Sequence, residues 1–321
     1  MRLCRLKHAD RDQVGLYDDE HIVLLDAAAK AFAKATGTTV KVPPGDDLLP
    51  LLPPEGEAFG AVKQVAAWVA EHGEELPGDA VVSTGDAKLL VPIPRPNKLL
   101  LLAGNYAAHI EEGGDRAAER ADTFPYVFMK PPRTTLTNPG QPVVIPSNSP
   151  DAIDWELELA VVIGRRAKRV SEADALDYVA GYTVINDISN RQFRPNPGRK
   201  ERSRDRFFDW LHGKWFDSFC PCGPCITTAD AIPDPQTLSM RLTLNDTLRQ
   251  DANTARQVFP VAAVIEFISN ICTLEPGDVI STGTPAGVGN TTGTFLHAGD
   301  ELRATIEQIG TLASPVVNES R

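Results

Sequence analysis

The sequence predicts an α+β fold in two parts, a small α/β N-terminal segment followed by a larger, strand-rich unit. Three observations lead there. The 321 residues are 42% hydrophobic and 23% charged, with 26 prolines and 24 glycines spread along the chain, a globular composition long enough for two cores. Pro92, Pro94 and Pro96 fall close together in residues 91–97, which excludes helix there and places a boundary between residues 1–95 and 96–321. Beyond it, short apolar runs alternate with turn residues, without the regular strand–helix alternation of a doubly wound sheet.

In the first part, residues 1–6, 14–17 and 22–25 read as strands around the acidic turn Asp18-Asp19-Glu20. A helix runs from Asp26 to about Thr36, where Gly37 stops it. The Pro-rich stretch 42–54 precedes a second helix over 58–72, whose Val62, Val65, Ala66 and Val69 form one stripe. In the second part the strand candidates are 99–103, 126–130, 143–145, 157–163, 181–186, 238–244, 278–282 and 301–306. Helices are expected at 109–119, 172–176 and 261–272.

Charge excludes one class of partner. Lys and Arg number 32 against 43 Asp and Glu, a net charge of −11, which disfavours a nucleic-acid backbone. A local basic stretch between Arg191 and Arg206 is either a solvated loop or a lid or subunit contact facing an anion. No apolar run reaches the 18 residues of a spanning helix, so no membrane is expected, and the first residues lack the apolar stretch of a signal peptide. Five cysteines, an odd count, fit a reducing cytoplasm. Cys220-Pro221-Cys222-Gly223-Pro224-Cys225 looks like half of a zinc ribbon, but no second such pair follows, and inert buried thiols are the other reading.

The strongest chemical signal is Asp154-Trp155-Glu156-Leu157-Glu158-Leu159-Ala160-Val161-Val162-Ile163-Gly164. Strand alternation sends Trp155, Leu157, Leu159 and Val161 to one face and Glu156 and Glu158 to the other. Two neighbouring carboxylates repel unless a cation neutralises them, or unless they face solvent. A second strand-like run, Gly181-Tyr182-Thr183-Val184-Ile185-Asn186-Asp187, ends in a third acid. Three carboxylates with open positions suit Mg²⁺ or Mn²⁺ rather than zinc. On the helix opening after Gly104-Asn105-Tyr106, His109 and Glu112 stand at i and i+3, a spacing that lets the carboxylate orient the imidazole as a general base. A surface histidine beside an acid is the plainer reading. Lys214 is a lone cation among aromatics, and Thr282-Gly283-Thr284-Pro285-Ala286-Gly287-Val288-Gly289 follows a strand and can offer backbone N–H groups to an anion.

Together, Asn105-Tyr106-x-x-His109-x-x-Glu112, Phe128-Met129-Lys130-Pro131-Pro132, the Asp154–Gly164 and Gly181–Asp187 runs, Lys214-x-Phe216-Asp217, Leu248-Arg249-Gln250, Leu274-Glu275-Pro276-Gly277-Asp278 and the Thr282–Gly289 run resemble the fumarylacetoacetate hydrolase family. The resemblance runs in order over about residues 99–317. It implies a mixed β-roll catalytic domain at 96–321, preceded by a variable N-terminal domain at 1–95, and a homodimer with a site in each subunit. It makes Glu156, Glu158 and Asp187 the ligands of one Mg²⁺ or Mn²⁺ per subunit, His109 and Glu112 a water-activating pair on a lid, and Lys214 the lysine beside the metal. Substrate contacts would come from Lys130, Arg191, Gln192, Arg194, Gly283 and Thr284. Where members often read Thr-Ala-Arg-Asp-x-Gln, this chain has Ser189-Asn190-Arg191-Gln192-Phe193-Arg194 and keeps only the arginine, so its substrate is expected to differ at the distal end.

The function implied is hydrolysis of a carbon–carbon bond in a small anionic 2,4-dioxo acid, an acylpyruvate or a fumarylacetoacetate-like compound, with an enolate stabilised at the metal. The same site serves isomerisation of a hydroxymuconate-type diacid or decarboxylation of oxaloacetate. A metal-binding scaffold without activity is disfavoured by the joint presence of triad, pair and lysine.

Overall fold

The computed structural model of the protein describes residues 1–114, 116–117 and 119–320. The N-terminal part holds β1 (Arg2–His8), β2 (Arg11–Tyr17), β3 (His21–Leu24), α1 (Leu25–Thr36), α2 (Phe59–His72), β4 (Val81–Ser83) and β5 (Lys88–Leu90). Then follow β6 (Leu99–Ala103), α3 (Ala107–Glu112), β7 (Tyr126–Met129), α4 (Pro132–Thr135), β8 (Leu136–Thr137), β9 (Val143–Ile145), β10 (Ile153–Asp154), β11 (Leu157–Ile163), β12 (Val179–Asn186) and β13 (Ser189–Asn190). The last third holds α5 (Asp205–His212), β14 (Cys220–Thr228), β15 (Ser239–Leu244), β16 (Thr247–Asn253), α6 (Val261–Ile271), β17 (Val279–Ser281), α7 (Gly289–Thr292), β18 (Glu301–Ile306) and β19 (Gly310–Asn318). The architecture is the expected mixture of helices and mixed sheets.

Two large sheets organise these elements. The first has 12 strands and runs β4-β3-β2-β1-β14-β12-β11-β17-β6-β7, with β5 on β1 and β8 on β14; the second has five, β16-β15-β18-β19-β9. Every residue of β11 and β12 is buried, and the expected alternation holds. Leu157, Leu159, Val161 and Ile163 enter a core with Met240, Leu242 and Ala304 of the second sheet. Ala160 and Val162 enter another, with Phe32 of α1 and Val62 of α2. Each such buried Leu, Ile or Val side chain contributes about 1.5–3 kcal/mol, which is why a strand flanked on both faces holds charged groups rigidly at its end.

The first sheet crosses residues 91–97 without interruption, because β1 pairs with β14 through Leu3↔Ile226. β14 itself falls where two prolines and a glycine disguise a strand; its ladder with β12 shifts register between Tyr182 and Val184, which is how a central strand tolerates proline. The helix expected at 109–119 ends at Glu112, and its positions 115 and 118 lie outside the described residues. A 3₁₀ helix, Glu172–Tyr178, stands where a short helix is expected. No helix among the described residues is long and apolar enough to cross a membrane.

Candidate functional site

Antiparallel pairing of β11 with β12 sets Leu157 opposite Asn186, and the Asp187 N–H donates to the Glu156 carbonyl at 2.8 Å. Three acids that the sequence separates by 31 positions thereby meet at one sheet end. One carboxylate oxygen from each of Glu156, Glu158 and Asp187 lies within 4.8 Å of the others, and the residues are 5%, 0% and 0% exposed. The solvent-facing reading of Glu156 and Glu158 is therefore excluded.

Each acid has its own partners. Glu158 Oε2 accepts from Ser281 Oγ at 2.6 Å and Gly283 N at 2.8 Å, while Glu158 Oε1 is buried with no hydrogen-bond partner. Lys214 Nζ donates to Glu156 Oε2 at 2.8 Å and Asp187 Oδ2 at 2.5 Å. Lys130, 1% exposed, donates to Asp187 Oδ1, to the Ile188 carbonyl at 2.9 Å and to the Phe219 carbonyl at 2.5 Å. Arg191 Nε donates to Asp154 Oδ2 at 2.7 Å, and its Nη2 lies 2.6 Å from Glu156 Oε1, an ion pair without hydrogen-bond alignment.

Four buried carboxyls, Asp154 included, thus face three cations, so with all four ionised the cluster is one positive charge short. Burial, then the charges of Asp187 and Glu156, push Glu158 well above the usual carboxylate range. Burial would also raise Glu156, but Lys214, Arg191 and His109 outweigh it and hold this carboxyl low. Burial would lower the Lys214 ammonium, but Asp187 and Glu156 raise it above its usual range. A buried carboxylate oxygen without a partner, on one of three clustered acids with an all-oxygen donor set, fits a hard divalent cation.

A cavity of about 530 Å³ has a wall that includes Asn105, His109, Arg191, Phe259, Val288 and Asn290; the three acids and Thr284 lie behind this wall, and Arg191 joins it to Glu156. His109 Nδ1 lies 2.8 Å from Glu112 Oε1, with both side chains about one-fifth exposed. Glu112 Oε2 in turn accepts from Gly287 N at 2.9 Å. Gly287 has φ +100°, and a Cβ there would come within 2.0 Å of the Arg249 carbonyl, so only glycine presents this amide. The imidazole is held by one nitrogen and leaves Nε2 for a ligand.

Other expected residues are placed differently. Lys130 and Gly283, expected at the substrate, both support the triad: the three N–H groups of Lys130 and the one of Gly283 all go to protein acceptors. Gln192 and Arg194 are exposed and do not line the cavity. Thr284 is buried, 3% exposed, and accepts from Gln250 Nε2 at 2.9 Å. The basic loop folds back on acids, Arg199 pairing with Asp205 and Asp209. Cys220 and Cys222 enter one core cluster and Cys225 the other; burial pushes the Cys220 thiol up to about 12. Among the described residues the triad is the only group with metal-ligand geometry.

Two residues escaped notice as functional. Asp154 accepts from Trp155 N, Gly289 N and Asn290 N at 2.8, 2.6 and 3.0 Å as well as from Arg191, tying the cavity wall to the arginine. Ser281 holds Glu158. Asp154 stands in the acid-rich run, but nothing in its spacing tells a ligand from a support.

Comparison with known proteins agrees with this geometry. The model of the fumarylacetoacetate hydrolase C-terminal domain matches residues 98–317. The chain is 39% identical over 239 residues to mitochondrial oxaloacetate tautomerase fahd2 of Xenopus laevis, covering 74% of this chain and 70% of that protein. It is 38% identical over 266 residues to oxaloacetate tautomerase YisK of Bacillus subtilis, covering 82% and 84%. The crystal structure of maleylpyruvate hydrolase from Sphingobium sp. SYK-6, in complex with manganese(II) and pyruvate, superposes with a TM-score of 0.70 at 30% identity over 100% of both chains. With the matched domain spanning most of the chain and the acidic triad in place, the protein belongs to the fumarylacetoacetate hydrolase family.

Proposed function

We propose that this chain is a divalent-cation-dependent enzyme of small anionic 2-oxo acids that moves a proton at the carbon beside the oxo group, interconverting keto and enol forms of an oxaloacetate-like acid. One observation carries the reading: an imidazole oriented by Glu112 shares a cavity with Arg191, which reaches the buried carboxylate triad. Mg²⁺ or Mn²⁺ held by Glu156, Glu158 and Asp187 would supply Lewis-acid polarisation of the oxo group. His109 Nε2 takes a proton from C3; the C–H pair becomes the C2–C3 double bond, and the oxo oxygen takes up a proton from water. Arg191 offsets the charge that develops, Lys214 offsets that of the triad, and Thr284 holds a carboxylate. The tautomerase relatives at 38–39% identity support this reaction.

Likeness to the maleylpyruvate hydrolase favours a second reading, carbon–carbon hydrolysis of an acylpyruvate. There His109 deprotonates water, hydroxide adds to the 4-carbonyl, the C3–C4 bond breaks, and the pyruvate enolate collects a proton. A cytoplasmic homodimer is in keeping with five free cysteines and with exposed Phe207, Phe208 and Trp215; light scattering tests the pairing.

The deciding experiment offers enol-oxaloacetate, acetylpyruvate and maleylpyruvate to the Mn²⁺-loaded protein, with enol absorbance and NMR as readouts. Accelerated loss of the enol with all carbons retained is expected. Release of acetate or of a C4 diacid establishes hydrolysis instead. Release of CO₂ from oxaloacetate, or no turnover, overturns the reading.

A further inference from the structure

The second sheet reaches into the site through one buried amide. β11 and β17 pair from Ala160↔Ser281 to Val162↔Val279, Thr282 N still donates to the Leu159 carbonyl at 2.9 Å, and beyond it the Leu157 N–H has no strand neighbour on that side. Gln250 of β16, 0% exposed, fills the gap. Its Oε1 accepts from Leu157 N at 3.0 Å, and its Nε2 donates to the Pro285 carbonyl at 2.8 Å and to Thr284 Oγ1 at 2.9 Å. The orientation of this amide is not free. A backbone N–H only donates and a backbone carbonyl only accepts, so the oxygen must face Leu157 and the NH₂ must face Pro285.

Thr284 Oγ1 consequently receives an N–H and cannot send its own proton back along that line. Among the described residues Thr284 makes no other side-chain hydrogen bond, so a buried hydroxyl holds an unclaimed donor one residue from Gly283, whose amide binds Glu158. We infer that Gln250 is a positioning residue that fixes Thr284 as a hydrogen-bond donor, selecting an acceptor-only ligand group, a carboxylate, at this corner. The inference rests on the proposed reading that Thr284 meets the substrate carboxylate.

Gln250→Glu tests it. The carboxyl keeps the Leu157 contact but carries at most one proton, for which Pro285 competes, so Thr284 turns its own proton inward. Calorimetry of pyruvate binding to Mn²⁺-loaded protein should show affinity lower by roughly tenfold, with KM raised and kcat within about twofold. Thr284→Val should show the same loss, the double variant no further loss, and Thr284→Ser wild-type binding, all with unchanged Mn²⁺ affinity. Gln250→Met, which introduces no charge, should lose affinity in the same direction and guards against misfolding of the first variant. Additive losses in the double variant, or wild-type pyruvate affinity in both Gln250 variants beside a weakened Thr284→Val, would overturn the role of Gln250 alone. Wild-type affinity in Thr284→Val would overturn the placement of the carboxylate and Gln250's role with it.

Discussion

The carboxylate triad and the histidine–glutamate pair sit side by side but are built from opposite materials. Glu156, Glu158 and Asp187 hang from the ends of two wholly buried strands, and two lysines, two serines and a backbone amide assign every oxygen but Glu158 Oε1. His109 and Glu112 ride on a six-residue helix with no buried residue, which leaves Gly104 at φ +64°. Holding an ion asks for donors that do not move. Passing a proton to a substrate that must enter and leave asks for a group from the less stable end of the structure. Ion affinity and turnover should therefore separate under mutation.

The largest effect is expected for Glu158→Ala, which removes the oxygen without a partner: calorimetric Mn²⁺ binding should disappear, while circular dichroism shows a folded protein. His109→Ala should lower turnover by about 10²–10⁴-fold with Mn²⁺ affinity intact; a parallel fall in affinity would erase the contrast between the two regions. Lys130→Met, which strips a support from Asp187, should weaken Mn²⁺ binding by roughly 10–100-fold, as loss of an outer partner does. The smallest effect belongs to Thr291→Val. Its hydroxyl lies 3.4 Å from Glu112 Oε2 but has the nearer acceptor in the Val288 carbonyl at 2.9 Å, so turnover should fall only about twofold, with no change in ion binding.

These differences also explain how far the sequence could be read. Glu156 and Glu158 announce themselves because a period of two is local, and Asp187 because it ends an apolar run. That Asp187 faces Glu156 depends on the β11–β12 register, which no short motif encodes. The roles of Lys130 and Gly283 went unread for the same reason: a lysine looks alike whether its acceptors are a ligand or the carbonyls of Ile188 and Phe219. Their acceptors come from chain segments brought together only by the fold. β14 stayed hidden because Pro221, Gly223 and Pro224 carry the signature of a turn, and only pairing on both sides makes it a strand. The helices α1 and α2, whose stripes and stop signals are local, stand close to where periodicity puts them.

The pairing of β1 with β14 has a consequence for solubility. A fragment starting after the proline-rich segment would bare the N–H and C=O groups of Ile226 and Thr227 in a β14 edge whose every side chain is buried in the intact chain. Such an edge is a template for another strand. Catalytic fragments lacking residues 1–95 should accordingly self-associate through β14, so the N-terminal segment acts as the cap that keeps this sheet from adding a stranger.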